Sequence, residues 1–179
     1  MSSIFKVNIN DLTKIHNLNT SCFSEEERYS YHVILLIFYN NKYHYVSTDT
    51  NGKINGYIMS YFNEHYDLLD QFSNAKGRDL LTIASFAVDQ NNRSKGIGSS
   101  LFEKVISEIT NDKNIKGLIL QVRVSNHIAI KLYEKYGFVR HQTLLKDYYN
   151  GPVEDGYLMF KNLTDDPNYL GNFPYIYNI

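Results

Sequence analysis

The strongest constraint on this chain lies in its middle. Leu80 to Val88 is an apolar run bounded by a turn, Asp89-Gln90-Asn91-Asn92. Arg93-Ser94-Lys95-Gly96-Ile97-Gly98 then leads into Leu101, Phe102, Val105, Ile106 and Ile109 at helical spacing. A buried strand, a glycine loop and an amphipathic helix follow one another in that order. The order then repeats. Gly117 to Val122 reads as a short buried strand, and Asn126 as the cap of a helix with Ala129, Leu132, Tyr133 and Tyr136 on one face, stopped by Gly137. Two successive strand-helix units commit the chain to an α/β layer structure.

The flanking segments fit a mixed sheet with helices on it. FKVNIN alternates as a half-buried strand, and Asp11 is placed to cap a helix with Leu12, Ile15 and Leu18 on its apolar face. Ser24-Glu25-Glu26-Glu27 reads as a helix start before the aromatic and aliphatic run Tyr29 to Tyr39. YHYVSTD and INGYIMSYFN, separated by Thr50-Asn51-Gly52-Lys53, read as a hairpin. Residues 64–78 read as an irregular insertion. Extended segments around Phe138 to Leu145 and Tyr157 to Phe160 flank a loop, Lys146 to Pro152. A length of 179 residues suits one domain, taken as 1–163, followed by a tail, 164–179, without periodicity.

Charge and composition exclude several classes. With 18 Lys and Arg against 19 Asp and Glu there is no basic field to hold a nucleic-acid backbone, so any bound anion must be met locally. Cys22 is the single cysteine, which rules out an internal disulfide, and it and six scattered His offer no metal-ligand spacing. Neither a secretory leader nor a stretch long enough to cross a membrane is visible, so a cytoplasmic protein is expected.

The glycine loop carries the chemistry. Glycines at a helix start let backbone amides face an anion unobstructed, which suits a pyrophosphate. Gly-Lys-Ser/Thr after the glycines, as in a Walker loop, is lacking, as is Gly-x-Gly-x-x-Gly of dinucleotide folds. Close helix packing alone would also explain Gly96 and Gly98. Combined with Asn126-x-x-Ala129-x-x-Leu132-Tyr133-x-x-x-Gly137-Phe138, however, the segment Val88 to Gly98 resembles the GNAT superfamily of acetyl-CoA-dependent N-acetyltransferases, over roughly Leu80 to Phe160. The resemblance implies the GNAT fold, a single mixed, mostly antiparallel sheet of about seven strands with flanking helices.

It also implies the site. Arg93, Ser94, Lys95, Gly96, Ile97, Gly98 and Ser99 would cradle the coenzyme pyrophosphate. Backbone groups of Phe86, Ala87 and Val88 would bind the pantetheine like an added strand, with Asn126 and Tyr133 completing the coenzyme site. A primary amine would attack the thioester directly in a ternary complex, and Tyr133, a phenol protonated at working pH, would be the acid for the departing thiolate. No metal is implied. Within the superfamily the protein N-terminal acetyltransferases are most similar, through the ring-rich loop Phe23 to Tyr29 and through Tyr148-Tyr149. Phe23, Tyr29, Tyr148 and Tyr149 are therefore the candidate acceptor-binding residues, although Tyr148 and Tyr149 are also ordinary strand formers in a chain with 16 Tyr.

Two departures leave the base open. Where several members carry a Tyr on the fourth strand and a His on the fifth, this chain has Leu81 and Gln121, and the usual proline after the loop Phe is Ser24. Remaining bases are Glu25, Glu154, His65 and His141, or a water held by strand carbonyls. The alternative acceptor is a small amine, either glucosamine 6-phosphate, using Arg123, Arg140, His141 and Lys146, or a polyamine. A non-catalytic module that binds acetyl-CoA or a partner is a third reading, and a homodimer or an auxiliary subunit stays open.

Overall fold

The computed structural model describes residues 2–62 and 79–166. The insertion expected at 64–78, His65 within it, and the tail beyond 166 lie outside the described residues. The chain divides into two compact units, one of residues 1–61 and 83–111, the other of residues 62–82 and 112–179.

In the first unit, β1 (Ser3–Lys6) pairs antiparallel with β2 (Tyr45–Thr48), which pairs antiparallel with β3 (Ile54–Phe62). The β2–β3 hairpin expected from Asn-Gly is present, but only Gly52 is left-handed, φ +76°; Asp49 N donates to Lys53 O and Gly52 N to Asp49 O, a longer loop than a two-residue primed turn. The first strand stops at Lys6, earlier than alternation suggests, because Asn8 caps a short 3-10 turn, Ile9–Asp11, and Asp11 reaches back to the Asn8 backbone. Asp11 therefore closes that capping box and makes no side-chain cap for α1 (Leu12–Cys22). Helix α2 (Tyr31–Asn40) is capped by the Ser30 hydroxyl, which accepts from Val33 N. The expected start at Ser24 is corrected: its carbonyl accepts from Glu27 and Arg28, forming an isolated turn. Leu12, Ile15 and Leu18 of α1, Ile34 and Ile37 of α2 and Val46, Tyr57 and Met59 of the strands form this unit's core.

Strand β4 (Leu80–Val88) matches the apolar run and begins in the second unit. Its end feeds the glycine loop and α3 (Ile97–Ile109), whose Ile97, Leu101, Phe102, Val105 and Ile109 are buried. Gly56 on β3 lets α3 come close: a Cβ there would lie 2.9 Å from Ile97 Cγ2 and 3.3 Å from the Ala87 carbonyl.

In the second unit, the first residues of β4 run parallel to β5 (Gly117–Arg123), which is antiparallel to β7 (Val153–Asn162). Helix α4 (His127–Lys135) follows β5 and buries Ile130 and Tyr133. Ile130 replaces Ala129, Leu132 and Tyr136, all half-buried, as the second inward position. Strand β6 (Val139–Asn150) is longer than expected: the supposed loop from Lys146 is strand as far as Asn150, kinked at Asp147 with φ +48°. Only Gly151-Pro152 turns the chain into β7. Among the described residues the hydrogen-bonded order is β1-β2-β3-β4-β5-β7-β6, one mixed, mostly antiparallel sheet as expected. No helix among them is long and apolar enough to cross a membrane.

Candidate functional site

The glycine loop is shaped by its own backbone. Asp89 Oδ1 accepts from Asn91 N at 2.9 Å and from Asn92 Nδ2 at 3.2 Å, fixing a tight turn where β4 ends. Arg93 Nε donates to Val88 O at 3.1 Å, and Lys95 Nζ donates to Asn91 O at 2.8 Å, so both cations fold over the loop. Ser94 (φ +61°) and Gly96 (φ +78°) take left-handed backbone, and Gly96 stands at the N-cap of α3 without a side-chain cap. The positive end of a 13-residue helix therefore begins at a residue with no side chain to cover it. Arg93, Ser94, Lys95 and Gly96 are exposed, Ile97 is buried, and Gly98 and Ser99 are half-buried. Phe86 sets its ring edge-on to Phe102 with centroids 4.9 Å apart, and Ala87 lies in the core, so their strand is rigidly backed.

The ring-rich loop is anchored in the same unit. Phe23 ends α1 in extended backbone and Tyr29 follows the Ser24 turn; both pack on the core. Cys22 Sγ donates to Val88 O at 3.8 Å, tying the end of α1 to the end of β4. Glu25 is paired with Arg28 at 3.1 Å and is 82% exposed. Sequence reasoning missed one feature here. Asn19 Nδ2 donates to Tyr57 Oη at 2.8 Å, and Tyr57 Oη lies 2.7 Å from Ser85 Oγ, a buried chain across α1, β3 and β4. Burial pushes the Tyr57 phenol up to about 12. Sequence gives no signal for the trio beyond the polar positions of otherwise apolar faces.

The second unit holds the other residues. Asn126 Oδ1 accepts from Ala129 N at 3.2 Å, the expected cap. Tyr133 is 7% exposed beside Phe138, and burial raises its phenol above its ordinary value. It therefore stays protonated across the neutral range. Tyr148 and Tyr149 stand on β6, edge to face at 5.0 Å. Their strand position corrects the loop expected from sequence, and β pairing replaces loop freedom as what holds them.

Leu81 is fully buried and pairs with Leu118, while Gln121 pairs with Leu158. Glu154 accepts from Arg123 at 2.9 Å and Ser125 N at 2.7 Å, bonds that hold its carboxyl below the usual range. Phe160, against which the His141 ring rests, is opposite Ile119, four positions along β7 from Gly156, opposite Arg123. That spacing puts Phe160 about 13 Å from the Arg123 end of β5. Among the described residues no cluster of His, Cys, Asp and Glu could hold a metal.

Residues 12–138 match the family model described as acetyltransferase (GNAT) family. An N-alpha-acetyltransferase of Sulfolobus acidocaldarius is 33% identical over 153 residues, 84% of this chain and 86% of that protein. Ard1 from Thermoplasma volcanium superposes with a TM-score of 0.73 at 26% identity, covering 92% of this chain and 99% of that one. The NatC complex bound to Gag peptide and CoA contains a chain of the same fold, with a TM-score of 0.77 at 23% identity over 91% of this chain and 99% of that one. With a strand-end loop opening α3 at Gly96 and α4 in place within the Asn126–Phe138 motif, a match spanning most of the described residues leaves one conclusion: the chain belongs to the acetyltransferase (GNAT) family.

Proposed function

We propose that this enzyme moves the acetyl group of acetyl-CoA to the N-terminal amine of a protein. The observation that carries the reading is its similarity to an N-alpha-acetyltransferase across 84% of the chain. The Tyr148-Tyr149 pair supports it, as phenols on a strand paired to β7 suit the first peptide units of an acceptor. Acetyl-CoA supplies an acyl group activated as a thioester. Arg93 to Ser99 fit its pyrophosphate through the uncovered helix start and two cations, and the backbone of Phe86 to Val88 fits its pantetheine. Asn126 orders α4, which presents Tyr133 as acid: the amine nitrogen bonds to the carbonyl carbon, the carbon–sulfur bond breaks, and the phenol proton goes to sulfur. Phe23 and Tyr29, seated on the core, would wall the acceptor.

The ammonium proton must also leave. Glu154 is engaged by Arg123, Glu25 by Arg28, and His141 rests on Phe160, away from the Arg123 end of β5. Among the described residues this favours a water held by strand carbonyls as the base; His65 lies outside them. The glucosamine 6-phosphate reading finds no support in the cations it would use. Arg123, Arg140 and Lys146 are paired with Glu154, Glu134 and Asp155, and burial lowers the His141 pKa. We place the activity in the cytoplasm, where Cys22 stays a thiol.

The test is thiol release from acetyl-CoA against N-terminal peptides, glucosamine 6-phosphate, spermidine and lysine peptides. Preference for an N-terminal peptide is expected, and turnover confined to a small amine overturns the reading.

A further inference from the structure

The hairpin that carries Tyr148 and Tyr149 is gripped at its turn by Arg123, the last residue of β5. Arg123 Nη1 donates to Pro152 O and to Glu154 Oε2, both at 2.9 Å, and Nη2 donates to Gly151 O at 3.1 Å. The guanidinium also lies 4.5 Å from the centroid of the Tyr149 ring. Glu154 Oε1 takes the Ser125 amide, and Val124 N donates to Asp155 O, so the hairpin is bound to the segment between β5 and α4. Both charged side chains are shielded, 14% and 18% exposed.

The rings are set from the other side as well. Asp147, in left-handed backbone, has its amide held by Asp155 Oδ1 at 3.0 Å. Gly156 leaves the space the rings occupy: a Cβ there would lie 3.1 Å from Tyr149 Cε2 and 3.4 Å from Tyr148 Cδ1.

A shielded ion pair seldom repays its desolvation in stability, but it can fix one geometry among several. Resting on the reading of Tyr148 and Tyr149 as acceptor contacts, we infer that Arg123 is the positioning residue of that pair and, with Glu154, sets affinity for the peptide acceptor and not for the coenzyme. The planar guanidinium reaches two carbonyls, a carboxylate and a ring face together; an ammonium cannot. Fixing the Tyr149 ring fixes where its hydroxyl points, which spares the enzyme that ordering cost when peptide binds.

Steady-state kinetics of the full chain test this with Arg123→Gln, Arg123→Lys and Glu154→Gln, each checked for folding by thermal melting. Arg123→Gln should raise the peptide KM about tenfold and Arg123→Lys about threefold, with acetyl-CoA KM and kcat at saturating peptide within about twofold of the parent. If Arg123→Gln does not fold, the other two variants carry the test. An unchanged peptide KM, or an equal rise in both KM values, overturns the inference. Tyr148→Phe and Tyr149→Phe are run beside them. A raised peptide KM in the tyrosine variants with none in the Arg123 variants removes Arg123 and leaves the acceptor reading. No effect in the tyrosine variants removes that reading, and the inference with it.

Discussion

A phenol shut away from water holds its proton more tightly than one in solvent, and Tyr133 on α4 is such a phenol. Burial keeps its proton in place across the neutral range, which is the protonation state the proposed acid needs. Tyr133→Phe should lower kcat about a hundredfold, the usual reach of a single acid-base group, while acetyl-CoA affinity by titration calorimetry stays as it was. His44 shows the opposite side of burial. Its Nε2 lies 3.2 Å from Phe38 O and its Nδ1 accepts from Ser60 N at 3.3 Å, and desolvation pushes its pKa down to about 4. As pH falls below about 6.5 the unfolded chain takes a proton that the folded chain refuses until about 4, so stability is lost across that window, by about 3 kcal/mol at its lower end. Urea midpoints at pH 7.5 and 5.0 should show this fall, and His44→Phe should flatten it. In the glycine loop Gly96, φ +78°, has open space around a would-be Cβ, so Gly96→Ala meets conformational strain alone, about 1 kcal/mol by denaturant midpoint.

Elements are where local signals and tertiary packing compete. Helix α4 starts where its Asn cap predicts, because the cap is a contact three residues long. Helix α2 does not start at Ser24: that residue and Ser30 both carry a cap-forming hydroxyl, and core packing of Ile34 and Ile37 selects Ser30. Ser30→Ala should therefore cost about 1 kcal/mol and Ser24→Ala much less, read from urea unfolding. Gly56 is the comparable point on β3. Ile97 and Leu101 of α3 crowd its face, and the Ala87 carbonyl cannot swing aside. Gly56→Ala should destabilise by about 1–3 kcal/mol and, because Ile97 opens α3, also weaken acetyl-CoA binding in calorimetry.

For the molecule as a whole, Glu108, Glu154 and Asp155 have their pKa values lowered by hydrogen bonds to Lys104, to Ser125 and Arg123, and to Asp147 and Lys146. Each contributes stability that is present above the ordinary carboxylate range and lost as pH falls through the lowered value, the same direction as His44. What the sequence by itself determined is what short spacing encodes. This comprises the order of strands and helices, the glycine loop at the start of α3, the Asn126 cap and the place of Tyr133 on an apolar helix face. Such features need only neighbours within a few residues, so the residues that make them stand side by side in the chain. Tertiary structure alone decided the rest. Asn19, Tyr57 and Ser85 meet across 38 and 28 positions, and Arg123 finds Glu154 across 31. The same is true of β6, where pairing with β7 carries strand through residues whose polar, tyrosine-rich pattern reads as a loop. Buried polar groups take whichever partner the packed strands bring within bonding distance, and no spacing along the chain specifies that partner in advance.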